Sequence, residues 1–581
     1  MLSLILLTSC ARTVHKKVIV VGVDGMDPVF VEQHWGDLPN LARLRGKGSY
    51  SHLETTDPPQ SPVAWSTFIT GLDPGEHGIF DFVHRDPVTL DPYLSTDKTI
   101  GPRFTLPLGP YELPLSRSEV VSLRKGRAFW EYLSDEGVPV TIVRIPANYP
   151  PSGAGHELAG MGTPDLRGPQ GTFTYFTDDP NAAPREVPGG LIRKVTVTGG
   201  HAELPLDGPP NTLRKDRAYA SVVVNADVDP DRPYVRLQSG ASMAIVKEGE
   251  WSDWLPLDFV LIPHLVSSRG MIRVFAKHLH PRLELYLSPV NVDPENPALP
   301  ISTPGSYARD VARSAGRWST LGIPEDTAAL RQGVFDLPQF LSQSDLVLHD
   351  ERRLLDDSLR RFNDGFLFFY FSVVDENSHV LWGKHDAELL DIYRAVDTSI
   401  GEVMRRQPDA ELMVMSDHGF AAFDRAVNLN TWLASRGFAT KAYALGLNGL
   451  YIKDKRIGPE LWRQLLDFRD PGNDRRVIGS LIATNPSPEN RSIAPDFIVG
   501  YSAGYRASWE TALGEAPSGL IEANNDAWIA DHCIDPQEVP AVLFSSRKIA
   551  DNTPRLKDLP VSLLESYGIA RPAQMTGRSI F

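Results

Sequence analysis

The chain has 581 residues, enough for roughly four units of ~150 residues, and its 58 Lys and Arg against 73 Asp and Glu leave a net charge of −15, which argues against a binder of nucleic-acid polymers or anionic membranes through bulk charge. Hydrophobic, aromatic and charged fractions of 42%, 9% and 23% are those of a folded protein, and 46 Gly with 48 Pro demand many turns, so disorder, collagen and coiled coil are excluded. The two cysteines, Cys10 and Cys533, are too few and too far apart for a disulfide framework or a thiolate zinc site.

Met1-Leu-Ser-Leu-Ile-Leu-Leu-Thr-Ser-Cys10 is a short apolar run, and no later stretch is long enough to span a bilayer. Leu7-Thr8-Ser9-Cys10 resembles a bacterial lipoprotein box. That resemblance implies lipidation of Cys10, a tethered protein of the bacterial cell envelope or periplasm, membrane contact through that anchor alone, and no disulfide partner for Cys533. No Lys or Arg precedes the run, so a plain apolar terminus or a misplaced start is the alternative.

From Lys17 to about Tyr149 short apolar runs alternate with helical patterns: Val18-Ile-Val-Val-Gly-Val23, a helix carrying Leu38, Leu41 and Leu44, and Val138-Pro-Val-Thr-Ile-Val143. Between Gly190 and Asn296 the period drops to two, in Lys194–Thr198, Ala220–Val224, Tyr234–Leu237, Met271–Phe275 and Leu283–Leu287, which predicts mostly antiparallel strands. The α/β texture returns with Phe366–Val374, a helix bearing Leu389, Leu390, Tyr393, Val396, Ile400 and Val403, and Glu411–Met415. The expected division is a leader and tether over 1–16, an α/β part over 17–175, an inserted β-rich module over 176–344 and the rest of the α/β domain over 345–581. There is no internal repeat.

Three apolar strands are expected to end in an aspartate: Asp24, Asp375 and Asp417. Ligands of an open parallel sheet bind beyond the strands' carboxyl ends, so these carboxylates could converge, although a lone strand-end Asp is ordinarily a turn former or helix cap. Asp375-Glu-Asn-Ser-His379 and Asp417-His418-Gly419 add an imidazole four and one residues on. A loop could bring each pair to one cation, with Gly419 allowing close backbone approach; a capped helix with an exposed His and a polar turn are the plainer readings. Asp531-His532 is a third such pair. Ser61-Pro62-Val-Ala-Trp-Ser-Thr-Phe-Ile-Thr-Gly71 predicts a helix with Pro62 first and Ser61 as its cap. Ser61 is either only that cap or a metal-activated nucleophile, with the helix's first amides helping to hold phosphoryl oxygens.

In order and spacing, Val23-Asp24-Gly25, Ser61 before a helix ending Thr70-Gly71, Pro74-Gly-Glu-His77-Gly78, Asp375-x-x-x-His379, Ser416-Asp417-His418-Gly419-Phe420 and a late His532 resemble the alkaline phosphatase superfamily, in its type I phosphodiesterase/nucleotide pyrophosphatase branch. The likeness covers roughly residues 17 to 170 and 345 to 581. It implies a three-layer α/β sandwich with a mostly parallel central sheet, interrupted by the β-rich module. It further implies one cation on Asp375, His379 and His532 and another on Asp24, Asp417 and His418, with Ser61 bridging toward the second. Zinc is usual in that family, and the ligand types also suit manganese or iron. The implied reaction is hydrolysis of a small-molecule phosphoester through a phosphoseryl intermediate. A diester is favoured; monoester or phosphonate hydrolysis, mutase-like phosphoryl transfer and a non-catalytic surface-anchored binder are the alternatives.

Departures from the pattern limit what carries over, nucleotide specificity above all. Ser61-Pro-Val-Ala-Trp65 lacks the Arg that formylglycine sulfatases need, and Phe82 stands where nucleotide pyrophosphatases place a phosphoryl-binding Asn. Asp81, His84 and Arg85 read as an exposed loop cluster, and His77 as a structural turn residue. Gly500-Tyr-Ser502-Ala-Gly504 matches a nucleophile elbow, but too little chain follows it for the remaining triad. His278 and His280 read as surface residues, and Trp251 and Trp254 as hairpin packing.

Overall fold

The computed structural model describes residues 15–86, 89, 91–168 and 171–581; Cys10 and the leader lie outside them. A mixed eight-stranded sheet organises the molecule. Its strands are β1 (Lys17–Val23), β2 (Ser49–Leu53), β3 (Val140–Val143), β4 (His156–Leu158), β5 (Ser302–Thr303), β6 (Gly365–Phe371), β7 (Glu411–Met415) and β8 (Ala541–Ser545), in the order β2-β8-β7-β1-β6-β3-β4-β5. β7, β1, β6, β3 and β4 are mutually parallel, while β8 and β5 run against their neighbours.

Alternation along the central strands builds two cores. Ile19, Val21 and Val23 of β1 join Leu367, Phe369 and Phe371 of β6 on one face, covered by the Pro39–Lys47 helix, α2 (Leu337–Arg361) and α4 (Asp386–Arg406). Val18 and Val20 join Phe366, Phe368 and Tyr370 on the other, under α1 (Ser61–Thr70) and α5 (Asp558–Ser566). Strands buried on both faces read as continuous apolar runs, which is why β1 and β6 are visible in the sequence. Between β6 and α4 lies α3 (Val373–Leu381).

Residues 173–292 form a five-, a four- and a three-stranded sheet, largely antiparallel. Met271–Phe275 is not one strand. Its chain breaks at Arg273, whose guanidinium makes two 3.1 Å bonds to Asp350 of α2, tying these sheets to the main one. β5 pairs with β4, so the chain rejoins the main sheet well before residue 345, the boundary expected from texture; two residues of edge strand leave no periodic signal. A further four-stranded sheet (442–501) and the strands around Ala421–Val427 share a core with Trp432, Leu461 and Tyr505 that the sequence reading lacked. Among the described residues no helix is long and apolar enough to cross a membrane.

Candidate active site

The carboxyl ends of β1, β6 and β7 face one buried pocket. Asp24 follows β1 directly; its amide donates to Phe371 O (3.0 Å), and its Oδ2 accepts from Tyr370 Oη (2.6 Å) and Trp65 Nε1 (3.0 Å). Gly25 must be glycine: its φ is +65°, and a Cβ would lie 2.5 Å from Phe420. Asp417 Oδ1 accepts from the Gly25 amide (3.2 Å), and at Gly419 a Cβ would meet Asp27 Oδ2 at 2.4 Å.

Asp375 does not end a strand. β6 stops at Phe371 and Asp375 lies in the first turn of α3, so Asp375 and His379 meet as helical i,i+4 neighbours, with Oδ2 and Nε2 3.5 Å apart, rather than through a curled loop. The apolar Val373-Val374 packs helically on the sheet, which periodicity alone cannot tell from strand. Ser61 is likewise one position off. Gln60 caps α1, Ser61 is its first residue and Pro62 its second. The Val63 and Ala64 amides both donate to Gln60 O and Pro62 has none, which leaves fewer helix amides for an anion than expected.

Ser61 Oγ lies 3.2 Å from His418 Nε2 and 3.4 Å from Asp24 Oδ1. His418 Nε2 is also 3.2 Å from Asp417 Oδ2, 3.5 Å from Asp24 Oδ1 and 3.9 Å from Asp375 Oδ1. His532 Nε2 is 3.9 Å from Asp375 Oδ1, and its ring stacks on His418 at 3.6 Å. Three groups of ligand atoms each gather within 4.8 Å: Asp375, His379 and His532; Asp24, Asp417 and His418; and, sharing His532 with the first, Asp531, His532 and Cys533.

The tautomers follow from what the other ring nitrogens touch. Nδ1 of His379 faces Ala530 O (2.8 Å), that of His532 faces Pro59 O (2.6 Å), and that of His418 faces Gly419 O (3.2 Å). A carbonyl only accepts, so each Nδ1 carries the proton and each Nε2 offers a lone pair. Burial holds His418 well below, and His379 at about 4 against, the usual imidazole value. Burial and then mutual repulsion drive the acids up: Asp24 to about 6, raised further by Asp375, and Asp417 well above the ordinary range. Asp375 rises to about 7, chiefly by burial. Asp375 Oδ1 and Asp417 Oδ2 are buried without a hydrogen-bond partner. Carboxylates left this way are costly unless a cation meets them, so the donor set fits divalent metal.

The sequence model of the type I phosphodiesterase / nucleotide pyrophosphatase family matches residues 18–184 and 295–490, more than half of the chain. The chain belongs to that family. This family member is accordingly a phosphoester hydrolase. No curated protein matches its sequence. Among solved structures it is similar to phosphonoacetate hydrolase from Sinorhizobium meliloti 1021 in complex with phosphonoacetate, at 13% identity over 96% of each chain with a TM-score of 0.48. It is also similar to murine ectonucleotide pyrophosphatase/phosphodiesterase 5, at 10% identity over 96% of each chain with a TM-score of 0.42.

The other sequence candidates sort themselves out. Asp531 groups with His532 and Cys533, not with Asp24, Asp375 or Asp417. Its Oδ1 takes the His532 and Cys533 amides (2.8 and 2.9 Å), and its Oδ2 takes Arg506 Nε and Trp528 Nε1. Trp528 in turn stacks on His379 at 3.6 Å. Asp81 and His84 are buried, not an exposed cluster: Asp81 Oδ2 accepts from Gln60 Nε2 and Leu447 N, and His84 Nε2 accepts from Phe80 N, while Arg85 lies over Tyr443 and Tyr451. The remote partners, Leu447 for Asp81 and Tyr443 and Tyr451 for Arg85, are beyond the reach of local pattern. Gln60 also donates to Asn448 Oδ1 (2.7 Å) and accepts from Phe82 N, which fixes the turn before Ser61.

His77 is buried, bonded to Thr67 Oγ1 (3.0 Å) and Ile79 N. Ser502 sits between two strands rather than at a strand-to-helix turn, so no nucleophile elbow forms. Trp251 packs on Phe275, Tyr286 and Phe335, while His278 is exposed beside Glu248. Sequence reading missed Trp65, Tyr370, Trp528 and Arg506. Only Trp65 carried a signal, being four residues after Ser61 and hence on the same face of α1.

Proposed function

We propose that this enzyme is a metal-dependent phosphodiesterase of alkaline-phosphatase-like architecture, with Ser61 as nucleophile and the two Asp/His groups as ligands of two divalent cations. The observation that carries the reading is the pair of buried, unpartnered carboxylate oxygens on Asp375 and Asp417, set among imidazoles whose Nδ1 faces a backbone carbonyl and whose Nε2 therefore carries the lone pair. Carboxylate and imidazole without thiolate suit zinc, and equally manganese or iron. When bound, such cations acidify the Ser61 hydroxyl, neutralise the phosphoryl group and steady the departing oxygen.

The chain's own residues supply position. Tyr370 and Trp65 hold Asp24 Oδ2, which fixes Oδ1 3.4 Å from Ser61 Oγ, and the Gln60 contacts fix the hydroxyl at the start of α1. In the proposed reaction Ser61 Oγ gives up its proton to solvent and bonds to phosphorus as the ester oxygen departs in line and takes a proton from solvent. Water then attacks the phosphoserine, and the released Ser61 oxygen regains a proton. A Ser-His-Asp relay is disfavoured, because the Nδ1 of His418 faces a backbone carbonyl rather than a carboxylate. Leu7-Thr8-Ser9-Cys10 supports a lipid-anchored location in the bacterial envelope.

The test is hydrolysis of bis-p-nitrophenyl phosphate and p-nitrophenyl phosphate by metal-replete protein. The diester should turn over faster, chelation should abolish turnover reversibly, and Ser61→Ala should lower kcat by at least about 10³-fold. Turnover that survives Ser61→Ala would remove the nucleophile.

A further inference from the structure

The segment 97–122 forms an antiparallel ribbon that the hydrolase site does not use. Asp97–Ile100 pairs with Glu119–Ser122, and Thr105–Leu108 with Tyr111–Pro114 in the register Leu106↔Leu113 and Leu108↔Tyr111. The Leu115 amide donates to Phe104 O (2.8 Å), extending the register to Phe104 and Leu115. Opposite residues, and every second residue along a strand, share a face. Phe104, Leu106, Leu108, Tyr111, Leu113 and Leu115 therefore form one face, against Thr105, Pro107, Glu112 and Pro114 on the other. A soluble ribbon turns such a face onto a core. Here Phe104, Leu106, Leu108 and Leu115 are 59%, 50%, 59% and 66% exposed.

The ribbon is held at both ends. At its root Leu123 N bonds Thr96 O, Lys125 N bonds His77 O and Arg124 Nε bonds Ala147 O; at its tip Lys215 N bonds Pro110 O and Glu112 N bonds Leu213 O. The open face is thus a fixed surface. Its four most exposed side chains offer on the order of 400 Å², about half of the ~800 Å² that one partner brings to a stable protein–protein interface. That is too little for a second copy, but it suits shallow insertion among lipid headgroups. The charges agree. Lys98, Arg103 and Arg117 flank the root and Lys215 and Arg217 the tip, all exposed, in a chain whose net charge is −15; they outnumber the exposed acids Glu119 and Asp216, with Asp97 and Glu112 half-buried.

We propose that the apolar face of this ribbon seats the protein on an anionic lipid surface, through contacts that need no acyl chain on Cys10. The test uses the full chain with Cys10→Ser throughout, so that lipidation plays no part. Co-sedimentation is measured with phosphatidylcholine vesicles, with and without phosphatidylglycerol. The parent should sediment preferentially with the anionic vesicles, and less so in high salt. Leu106→Ser, Leu108→Ser and Leu115→Ser combined should weaken sedimentation at least about 10-fold. The charge reversal Lys98→Glu, Arg103→Glu and Arg117→Glu should erase the preference for phosphatidylglycerol.

Hydrolysis of a soluble diester should be unchanged in both variants and reports that they are folded; if the serine variant loses it, the charge-reversal variant decides. Equal sedimentation of parent and variants overturns the proposal. So does a parent that ignores vesicles but forms a dimer that the serine variant disperses, which would assign the face to self-association.

Discussion

Four donors converge on Asp531, a residue that touches none of the clustered carboxylates. Burial opposes its ionisation, but Arg506, His379 and His532 hold its carboxyl well below the usual range. It is therefore a fixed anion that orients the His532 backbone through Oδ1 and the Trp528 ring, and so His379, through Oδ2. Asp531→Asn should leave the fold intact yet weaken zinc binding by about 10–100-fold, the usual consequence of loosening a group behind a ligand. Titration against a competing chelator measures this, and activity at saturating metal should largely return. Wild-type affinity in the variant would show that Asp531 serves folding alone. At this scale the motifs Asp375-x-x-x-His379 and Asp417-His418 were legible because their partners are a few residues apart. The hydroxyl of Tyr370 and the indole of Trp65 on Asp24 were not, because nothing in a buried aromatic's sequence context shows which polar atom it meets.

The helix bearing Ser61 is braced by the short Pro74–His77 helix, whose His77 imidazole bonds Thr67 one and a half turns into α1. Burial, with smaller contributions from Arg124 and His84, lowers the His77 pKa to about 3 against an ordinary 6.5. The folded state therefore binds fewer protons than the unfolded one between those values. The stabilisation is full above about 6.5 and is lost as pH falls toward 3, at up to about 1.4 kcal/mol per pH unit. His77→Gln should cost about 1–2 kcal/mol at pH 7, while its stability falls less steeply than wild type from pH 6.5 to 4.5. Urea unfolding across that range tests it, and parallel pH profiles for the two proteins would contradict it. Elements were read best where one period holds over many residues, as in α4, and worst where apolar residues pass from strand to helix without a break, as at Val373-Val374.

Across the whole molecule the site is closed by contacts remote in sequence: Ser61 meets His418 across 357 residues, and the His532 ring meets Pro59 O across 473. Such a constellation exists only in the folded chain, so cation binding should stabilise the fold, and removing metal should lower Tm. The ordering of family motifs made the central sheet and the clustered Asp and His side chains readable. The smaller sheet over 442–501 and the ribbon over 97–122 were not, since short strands between turns carry little period and their partners are set by tertiary contact.

The most direct test of the account is the number of metal ions held by the purified chain after zinc saturation and removal of free ion, counted by elemental analysis. The account predicts two per chain, and one when His379→Ala and His532→Ala are combined. Fewer than two in the wild type, or two retained in that double variant, would contradict it.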